Sequence, residues 1–476
     1  MMVDIRPTVL TPEDDPHIWL EDIEGKNALE WVHRQNENTR KNFADDIFKM
    51  DRDALISIYN HPEKIPYIIR RGEHVYNFWK DRDHVRGVWR RTTLKDYASD
   101  SPDWDILINL DALAAEEGED WTWKGATLLP QNNNLSIVYL SPGGSDASCL
   151  REFDLKTKSF VSDGFSLSQA KGRVSWLDKD TLLLCSAYGD GKATECGYSN
   201  TARLWERGVS AEQAKVIFEV DSKHMGAWVE IDRSLGEEHI IFYDRKGFFN
   251  EERWIGDRSG PKVKIAVPDD ARIQVNKGWL AVRPQKEWTT GDNTYAADSL
   301  LGISFESFLH GDRDFSVLFT PHERKSLQDF HWCSHFLILS ILDNLAPTFE
   351  FFSPDQNGWK SIPAPQFPNI GMASVSRLDE EKCEANGDMI YQFQSPVSPN
   401  CYKIISANGG ADIIKESPEL FDCTGLEISR HEAISTNGEK VPYLQIGTPG
   451  SRGDAPVLMN GYGGFNISME PVYNAT

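Results

Sequence analysis

The chain has 476 residues and a mass of 53.9 kDa, enough for two or three domains with cores of full size. Apolar residues make up 40% and charged residues 26%, which excludes a disordered, collagen-like or coiled-coil chain. The net charge of −23 argues against nucleic acid or an anionic membrane surface as a partner. It is explained most simply by a soluble surface that repels its own copies, and less simply by attraction of cationic substrates.

The seven cysteines are odd in number, scattered and without a C-x-x-C pair, which predicts reduced thiols in an intracellular protein. The opening residues MMVDIRPTVL place Asp4, Arg6 and Pro7 where a signal peptide needs an unbroken apolar stretch. The most apolar stretch, residues 336–342, is far shorter than the roughly 20 residues of a membrane helix. We therefore expect a cytoplasmic protein that does not associate with membranes.

The first predicted elements are one or two amphipathic helices within residues 25–49. Apolar residues such as Leu29, Val32, Phe43 and Ile47 recur there at a loose helical spacing among charged residues. Such helices gain most of their stability from packing, so they need another part of the fold to lie against.

From residue 76 to about residue 405 the pattern is that of short strands separated by Gly, Pro, Asp and Asn turns. Seven apolar runs could each be an inner strand, with an average spacing of roughly 52 residues, close to the period of β-propeller blades. Because the spacing is irregular, a large β-sandwich with insertions is the competing interpretation. The runs lie at residues 75–76, 137–139, 182–184, 240–243, 279–282, 336–339 and 389–391.

A third pattern begins near residue 425. Alternating runs at residues 427–435 and 441–446 flank Asn437 and Gly438, and an Asn-Gly turn between such runs predicts a β-hairpin. Residues 455–459 predict a short buried strand. The Gly-rich segment 461–465 (GYGGF) follows it, and three glycines allow close approach to a ligand or to another part of the fold.

Several chemical motifs are weak or missing. No Ser lies in the G-x-S-x-G pattern of a nucleophile elbow, and the Gly-rich segment does not fit a dinucleotide fingerprint. His331, Cys333 and His335 alternate, so on one strand they would face the same way as a potential metal site. No fourth ligand accompanies them, so we expect an ordinary strand, no metal and no cofactor. The acidic residues 116–120 predict a solvated loop.

Three groups of residues resemble the prolyl oligopeptidase family of serine peptidases, and the similarity extends over essentially the whole chain. The N-terminal group is 15–22 (DPHIWLED), 28–32 (ALEWV) and 35–36 (QN). The middle group is 308–315 (FLHGDRDF), 318–321 (LFTP) and 342–344 (LDN). The late group is 433–443 (AISTNGEKVPY) and 461–468 (GYGGFNIS).

This resemblance implies a mainly β architecture, a seven-bladed β-propeller flanked by N-terminal helices and the first strands of an incomplete α/β-hydrolase domain. The expected boundaries are residues 1–70 for the N-terminal helical segment of the hydrolase domain, 71–425 for the propeller and 426–476 for the start of the catalytic domain. In this family the propeller covers the catalytic cavity and admits only short, unfolded peptides. We therefore expect a cytoplasmic, monomeric hydrolase whose partners are short proline-containing peptides.

The resemblance also assigns roles to two residues. Tyr462 matches the family tyrosine whose hydroxyl helps to form the oxyanion hole, where a phenol donor stabilises the tetrahedral intermediate. Phe465 matches an aromatic residue that lines the pocket for the proline of the substrate. The sequence Gly-Gly-Phe favours cleavage after proline over cleavage after basic residues.

The family's Ser, Asp and His triad is expected beyond residue 476. The chain would then be truncated relative to the family and inactive as a peptidase on its own, because an oxyanion donor without a nucleophile cannot complete acyl transfer. An alternative function is a non-catalytic propeller that binds peptides or a partner protein. A third, an enzyme with a site inside the propeller, would use His331 and His335.

Overall fold

The computed structural model describes residues 15–22, 24–132, 134–233, 238–333, 336–356, 358–379, 387–405, 413–450, 453–465 and 467–476. The chain divides into two compact units, Met1–Pro62 with Ala475–Thr476, and Glu63–Asn474. None of the described helices combines the length and the apolar character that crossing a membrane requires.

The first unit is helical, as the sequence predicts. A single 3-10 turn at Ile18–Glu21 precedes α1 (Lys26–Phe43) and α2 (Asp46–Tyr59). The second helix begins where the Asp45 side chain accepts a hydrogen bond of 2.8 Å from the backbone N–H of Phe48, which satisfies one of the free donors of the first turn. This helix continues about three turns beyond the predicted segment.

Seven antiparallel sheets of four or five strands follow one another as blades along the described part of the second unit. The first blade has strands β1 (Ile69–Arg71), β2 (His74–Trp79), β3 (Val88–Thr93) and β4 (Asp105–Asn109). Helices α3 (Leu94–Tyr97) and α4 (Leu110–Glu117) flank β4. The second blade has β5 (Trp121–Leu128), β6 (Leu135–Pro142), β7 (Ser148–Asp154), β8 (Ser159–Phe160) and β9 (Ser166–Ala170). The third has β10 (Gly172–Asp178), β11 (Thr181–Ser186), β12 (Thr201–Glu206) and β13 (Lys215–Glu219).

The remaining blades follow the same plan. The fourth has β14 (Gly226–Asp232), β15 (His239–Arg245), β16 (Glu251–Gly256) and β17 (Val263–Lys264). The fifth has β18 (Arg272–Asn276), β19 (Trp279–Arg283), the separate hairpin β20 (Trp288–Thr290) and β21 (Asn293–Tyr295), β22 (Leu300–Ser304), α5 (Phe305–Leu309) and β23 (Ser316–Phe319). The sixth has β24 (Lys325–Cys333), β25 (Phe336–Asp343), β26 (Ala346–Asp355) and β27 (Gly358–Ile362). The seventh has β28 (Met372–Arg377), β29 (Met389–Ser395), β30 (Ser398–Ile405) and β31 (Ile413–Glu416).

The fold is therefore a seven-bladed β-propeller, which confirms the predicted fold class. Each of the seven apolar runs in the sequence is the second strand of a blade. These strands are buried on both faces, and successive side chains point to opposite faces of a sheet. In β6, for example, Ile137 packs toward the third blade, whereas Val138 packs toward the first. A strand between two neighbours thus needs an unbroken apolar run.

Seven clusters of buried side chains join neighbouring blades, one at each seam. The seam between the seventh and first blades closes the ring. There Val75 and Tyr97 pack against Ile390 and Tyr402, and all four side chains are buried. Among the described strands, the seventh sheet contains only strands from the end of the propeller segment. The ring is thus closed by side chains rather than by an exchanged strand.

Arg70 adds an ionic contact to this seam. Its Nη1 lies 3.2 Å from Oδ2 of Asp388, and its Nε lies 3.9 Å from Oδ2 of Asp379. Arg70 and Asp379 also form an isolated parallel bridge through their backbones. The Asp379 side chain is buried and that of Asp388 is nearly so, and a carboxylate in such a position is costly unless it is paired.

Beyond the propeller, β32 (Glu427–Ile434) and β33 (Lys440–Gly447) form the predicted hairpin around Gly438. The prediction of a buried strand at residues 455–459 is wrong. These residues form no strand, and Leu458 is 97% exposed. An apolar run becomes a buried strand only where other strands pair with it and cover it, and no described strand does so here.

We predict that Arg70→Met will lower the free energy of unfolding by about 3 kcal/mol, because it removes a cation that contacts two carboxylates with little exposure. Urea unfolding followed by tryptophan fluorescence would measure the change. Arg82→Met, which removes a cation from the exposed β2–β3 loop, is the matched control and should have little effect. Equal stability of the two variants would contradict a role for Arg70 in closing the ring.

We also predict that proteases will cleave residues 1–70 and 426–476 before they cleave the propeller. Large apolar side chains are exposed in both segments, for example Phe43, Ile47 and Leu458, whereas the blades bury theirs at the seams. Limited proteolysis followed by mass spectrometry would give the order of cleavage. Protection of both segments equal to that of the propeller would show this expectation to be wrong.

Candidate functional site

The candidate site lies at one end of the propeller, which we call the proximal end. Because neighbouring strands are antiparallel, the loop between the second and third strands of a blade and the connection to the next blade lie at the same end. The proximal end thus includes the β15–β16 loop at residues 246–250 and the connections at residues 320–324 and 363–371. Arg430, Glu432 and Phe465 contact these elements.

The β32–β33 hairpin is anchored to the proximal end by two arginines. Arg324 Nη2 lies 2.8 Å from Oε1 of Glu432, and Arg430 Nη2 donates a hydrogen bond of 3.0 Å to the carbonyl of Asn369. Lys440, on the other strand of the hairpin, lies 3.7 Å from Glu432. Polar contacts to two connections between blades therefore hold the hairpin.

The Gly-rich segment 461–465 follows without regular secondary structure. The side chain of Tyr462 lies over Gly464, and a Cβ atom at position 464 would be only 2.6 Å from the phenolic oxygen. The sequence therefore has Gly where the phenol approaches the backbone. The backbone φ of Phe465 is +56°, in the left-handed region that residues other than Gly rarely adopt.

Phe465 meets an aromatic pair from the propeller. Its ring centroid lies 5.0 Å from that of Phe248, which in turn lies 5.0 Å from that of Phe249. The three rings, which we call the aromatic cluster, are 59%, 64% and 53% exposed, respectively, and Tyr462 is 51% exposed. Large aromatic groups with this much accessible surface at one place form an apolar surface available to a ligand.

Phe248 and Phe249 are not among the site residues predicted from the sequence. The available signal was two adjacent Phe residues in a turn, Gly-Phe-Phe-Asn, where polar residues are usual. No motif links this turn to the Gly-rich segment more than 200 residues later, so their contact is a result of the fold.

A second aromatic contact fixes the segment that follows. The rings of Phe421 and Tyr473 are stacked at 4.8 Å, and the Tyr473 hydroxyl accepts a 2.8 Å hydrogen bond from the backbone N–H of Leu420. The backbone N–H of Tyr473 donates to Oε1 of Gln394 in β29 at 3.1 Å. Glu470 lies between Phe465 and Tyr473 in the sequence, and burial raises the pKa of its carboxyl group.

Of the alternating residues at 331–335, the structure describes His331 and Cys333. Burial lowers the pKa of His331, with nearby Asp329 acting against the shift and Arg377 adding to it. Cys333 is 1% exposed and packs in the apolar cluster between the sixth and seventh blades. His335 lies outside the described residues. Within the described ranges, no group of three or more His, Cys, Asp or Glu side chains could hold a metal ion.

We predict that Gly464→Ala will displace the Tyr462 phenol, because the flexible ring can yield to the new methyl group more easily than the backbone can. Nitration of Tyr462, quantified by mass spectrometry, should become faster. Gly463→Ala is the matched control, since a Cβ atom there would meet no atom within 4 Å. Equal nitration of both variants and of the parent chain would contradict the contact.

Residues 9–417 match the family model described as prolyl oligopeptidase, N-terminal beta-propeller domain. Among curated proteins, the chain is 30% identical to an uncharacterized peptidase (y4nA) of Sinorhizobium fredii, over 99% of this chain and 66% of that protein. It is 27% identical to an uncharacterized peptidase (RP174) of Rickettsia prowazekii, over 99% of this chain and 68% of that protein.

Among solved structures, a post-proline cleaving enzyme from Rickettsia typhi matches with a TM-score of 0.86 and 26% identity, over 96% of this chain and 68% of that chain. The chain thus spans about two thirds of the length of these relatives. The family model covers most of the sequence and all of the described blade strands. The fold that the model names, a β-propeller, is also the fold of the structure. The chain belongs to the prolyl oligopeptidase family, and residues 9–417 correspond to the N-terminal β-propeller domain of that family.

Proposed function

We propose that this chain provides the propeller and part of the substrate site of a serine endopeptidase that hydrolyses short peptides after proline. Family membership supports peptidase chemistry, and the similar protein from Rickettsia typhi is described as post-proline cleaving. Residues 1–70 and 426–476 would belong to the catalytic domain, and the propeller, 71–425, would restrict access to short peptides. We also propose that the protein lies in the cytoplasm, in agreement with its scattered thiols, and that it is a monomer, as the family resemblance implies.

The aromatic cluster is the observation on which this proposal rests. A pyrrolidine ring is compact and apolar, and it packs well against flat aromatic rings. Phe465 supplies one such ring from the Gly-rich segment, and Phe248 and Phe249 extend the apolar surface from the propeller. A substrate proline held at this cluster would lie near Tyr462, because Tyr462 precedes Phe465 by only three positions in the Gly-rich segment.

Tyr462 is proposed as an oxyanion donor. A phenol hydroxyl donates a hydrogen bond to the oxygen that gains negative charge in the tetrahedral intermediate, and this bond is stronger in the transition state than in the ground state. The position of the ring over Gly464 leaves the side chain half-exposed, so that a substrate could approach the hydroxyl.

Hydrolysis also needs a nucleophile. The 476 residues contain no Ser in a G-x-S-x-G pattern, so we propose that these residues bind a proline-containing peptide but do not cleave it on their own. The proposed contribution of the chain to catalysis is thus substrate binding and oxyanion stabilisation.

We predict that the chain binds a fluorescein-labelled peptide with a central proline more tightly than the same peptide with alanine at that position. Phe465→Ala and Phe248→Ala should each weaken binding of the proline peptide about tenfold, because each removes a large apolar contact. Tyr462→Phe should leave the affinity unchanged, since its hydroxyl acts on a charge that forms only during the reaction. Fluorescence anisotropy would measure each dissociation constant.

Phe43→Ala is the matched control, because it removes an exposed phenylalanine from α1. It should leave peptide binding unchanged. Equal affinity for the proline and alanine peptides would favour a propeller that binds peptides or a partner protein without post-proline specificity. Release of cleaved peptide by the chain would contradict the proposed need for a further nucleophile.

A further inference from the structure

A cavity at the seam between the second and third blades has a chemistry that the proposed peptidase function does not use. Its volume is about 340 Å³, within the range of sites for small ligands. Aromatic and charged side chains dominate its wall. The wall includes Asp163, Phe165, Tyr188, Trp205, Arg207 and Glu212.

The single cation in this wall, Arg207, is already neutralised by carboxylates. It forms a bidentate contact with Glu152, at 2.8 and 3.0 Å, and its Nε lies 3.0 Å from Oδ1 of Asp180. The Glu152 side chain is 1% exposed, and the Arg207 guanidinium lies over the ring of Phe165 at 4.7 Å. An anionic ligand would have to compete with a buried, bidentate carboxylate for Arg207.

The carboxylates in the wall have no cationic partner of this kind. Glu212 is exposed and accepts hydrogen bonds from its own backbone and from the hydroxyls of Tyr188 and Ser210, which lower the pKa of its carboxyl. Asp163 is also exposed, and no ion pair to it occurs among the described residues. The wall thus presents two exposed carboxylates to a ligand.

A wholly buried arginine, Arg203, fixes the position of this wall. It donates hydrogen bonds to the carbonyls of Ser186 at 2.8 Å, Tyr188 at 3.1 Å and Ala211 at 3.2 Å. These carbonyls belong to the two segments that carry Tyr188 and Glu212. Hydrogen bonds to the interior of the blade therefore fix both of these wall segments.

Charge near the cavity also favours a cation. The four carboxylates of Glu152, Asp180, Asp163 and Glu212 outnumber by one the three cations beside them, Arg203, Arg207 and Lys179, the last of which lies 3.8 Å from Asp180. The net charge of −23 over the whole chain acts in the same direction, because it raises the concentration of cations at the surface.

We propose that this cavity binds a single organic cation, the ammonium or guanidinium group of a lysine or arginine side chain, through Glu212 and Asp163. The apolar part of such a side chain would lie against the ring of Tyr188. The cavity would then recognise a basic residue of a peptide or protein at the blade 2–3 seam, independently of the aromatic cluster at the proximal end.

Isothermal titration calorimetry with Nα-acetyl-arginine amide, Nα-acetyl-lysine amide and uncharged Nα-acetyl-norleucine amide would test this proposal. We expect both cations to bind, and to bind more weakly as salt is added, and we expect norleucine amide not to bind. The preference between the two cations would identify the headgroup. If neither cation binds, or if norleucine amide binds equally well, the proposal is wrong.

Single substitutions in the wall of the cavity would show whether the cation binds there. Glu212→Gln should weaken cation binding about tenfold, because it removes a charged hydrogen-bond acceptor, and Asp163→Asn should weaken it in the same direction. Glu219→Gln removes the same charge from an exposed position on β13 of the third blade and should leave binding unchanged. A melting temperature of Glu212→Gln below that of the parent chain would reveal a folding defect. The effect of Asp163→Asn on cation binding would then decide whether the proposal holds. Equal loss of binding in all three variants would mean that general charge, and not this cavity, attracts the cation.

Discussion

The structure depends on one constraint, that every blade must hide both of its faces. A single antiparallel sheet usually covers one face and leaves the other in water. Here the second strand of each blade is apolar on both sides, so each sheet needs a neighbour on its left and on its right. An open row of such sheets would leave one apolar face uncovered at each end, and only a closed ring leaves none uncovered. The ring therefore follows from the two-sided burial of strands such as β6 and β25.

The closed ring gives the loops at the proximal end a rigid base. The β15–β16 loop begins and ends on two strands of the fourth blade that are buried at its seams, so Phe248 is held by a rigid base. Phe465 comes from a segment without regular structure and meets Phe248 in its left-handed backbone conformation. A rigid wall and an irregular segment thus form the aromatic cluster together. Neither segment alone places all three rings at one position.

Much of the fold could be predicted from the sequence because local patterns determine it. The seven second strands, the N-terminal helices and the hairpin at Asn437 and Gly438 each have a local signature. The prediction for residues 455–459 was wrong because burial depends on a partner that the local pattern does not reveal. The acidic residues 116–120 were predicted as a loop, yet α4 extends to Glu117, whose carboxylate contacts Arg151 at 2.8 Å. For the same reason the aromatic pair at 248–249 was missed, since its role depends on a distant segment.

The closure of the ring by side chains has a consequence for how the domain can be used. The chain enters the propeller beside the first blade and leaves it beside the seventh, and these two blades are neighbours. Lys415 of the last strand donates a hydrogen bond to the carbonyl of Ser99, and Asn400 donates one to the hydroxyl of Tyr67 near the entry. A domain whose entry and exit meet at one seam can be inserted into a loop of another protein without separating the flanking residues. The propeller can thus be carried as an insertion that needs only one pair of adjacent attachment points.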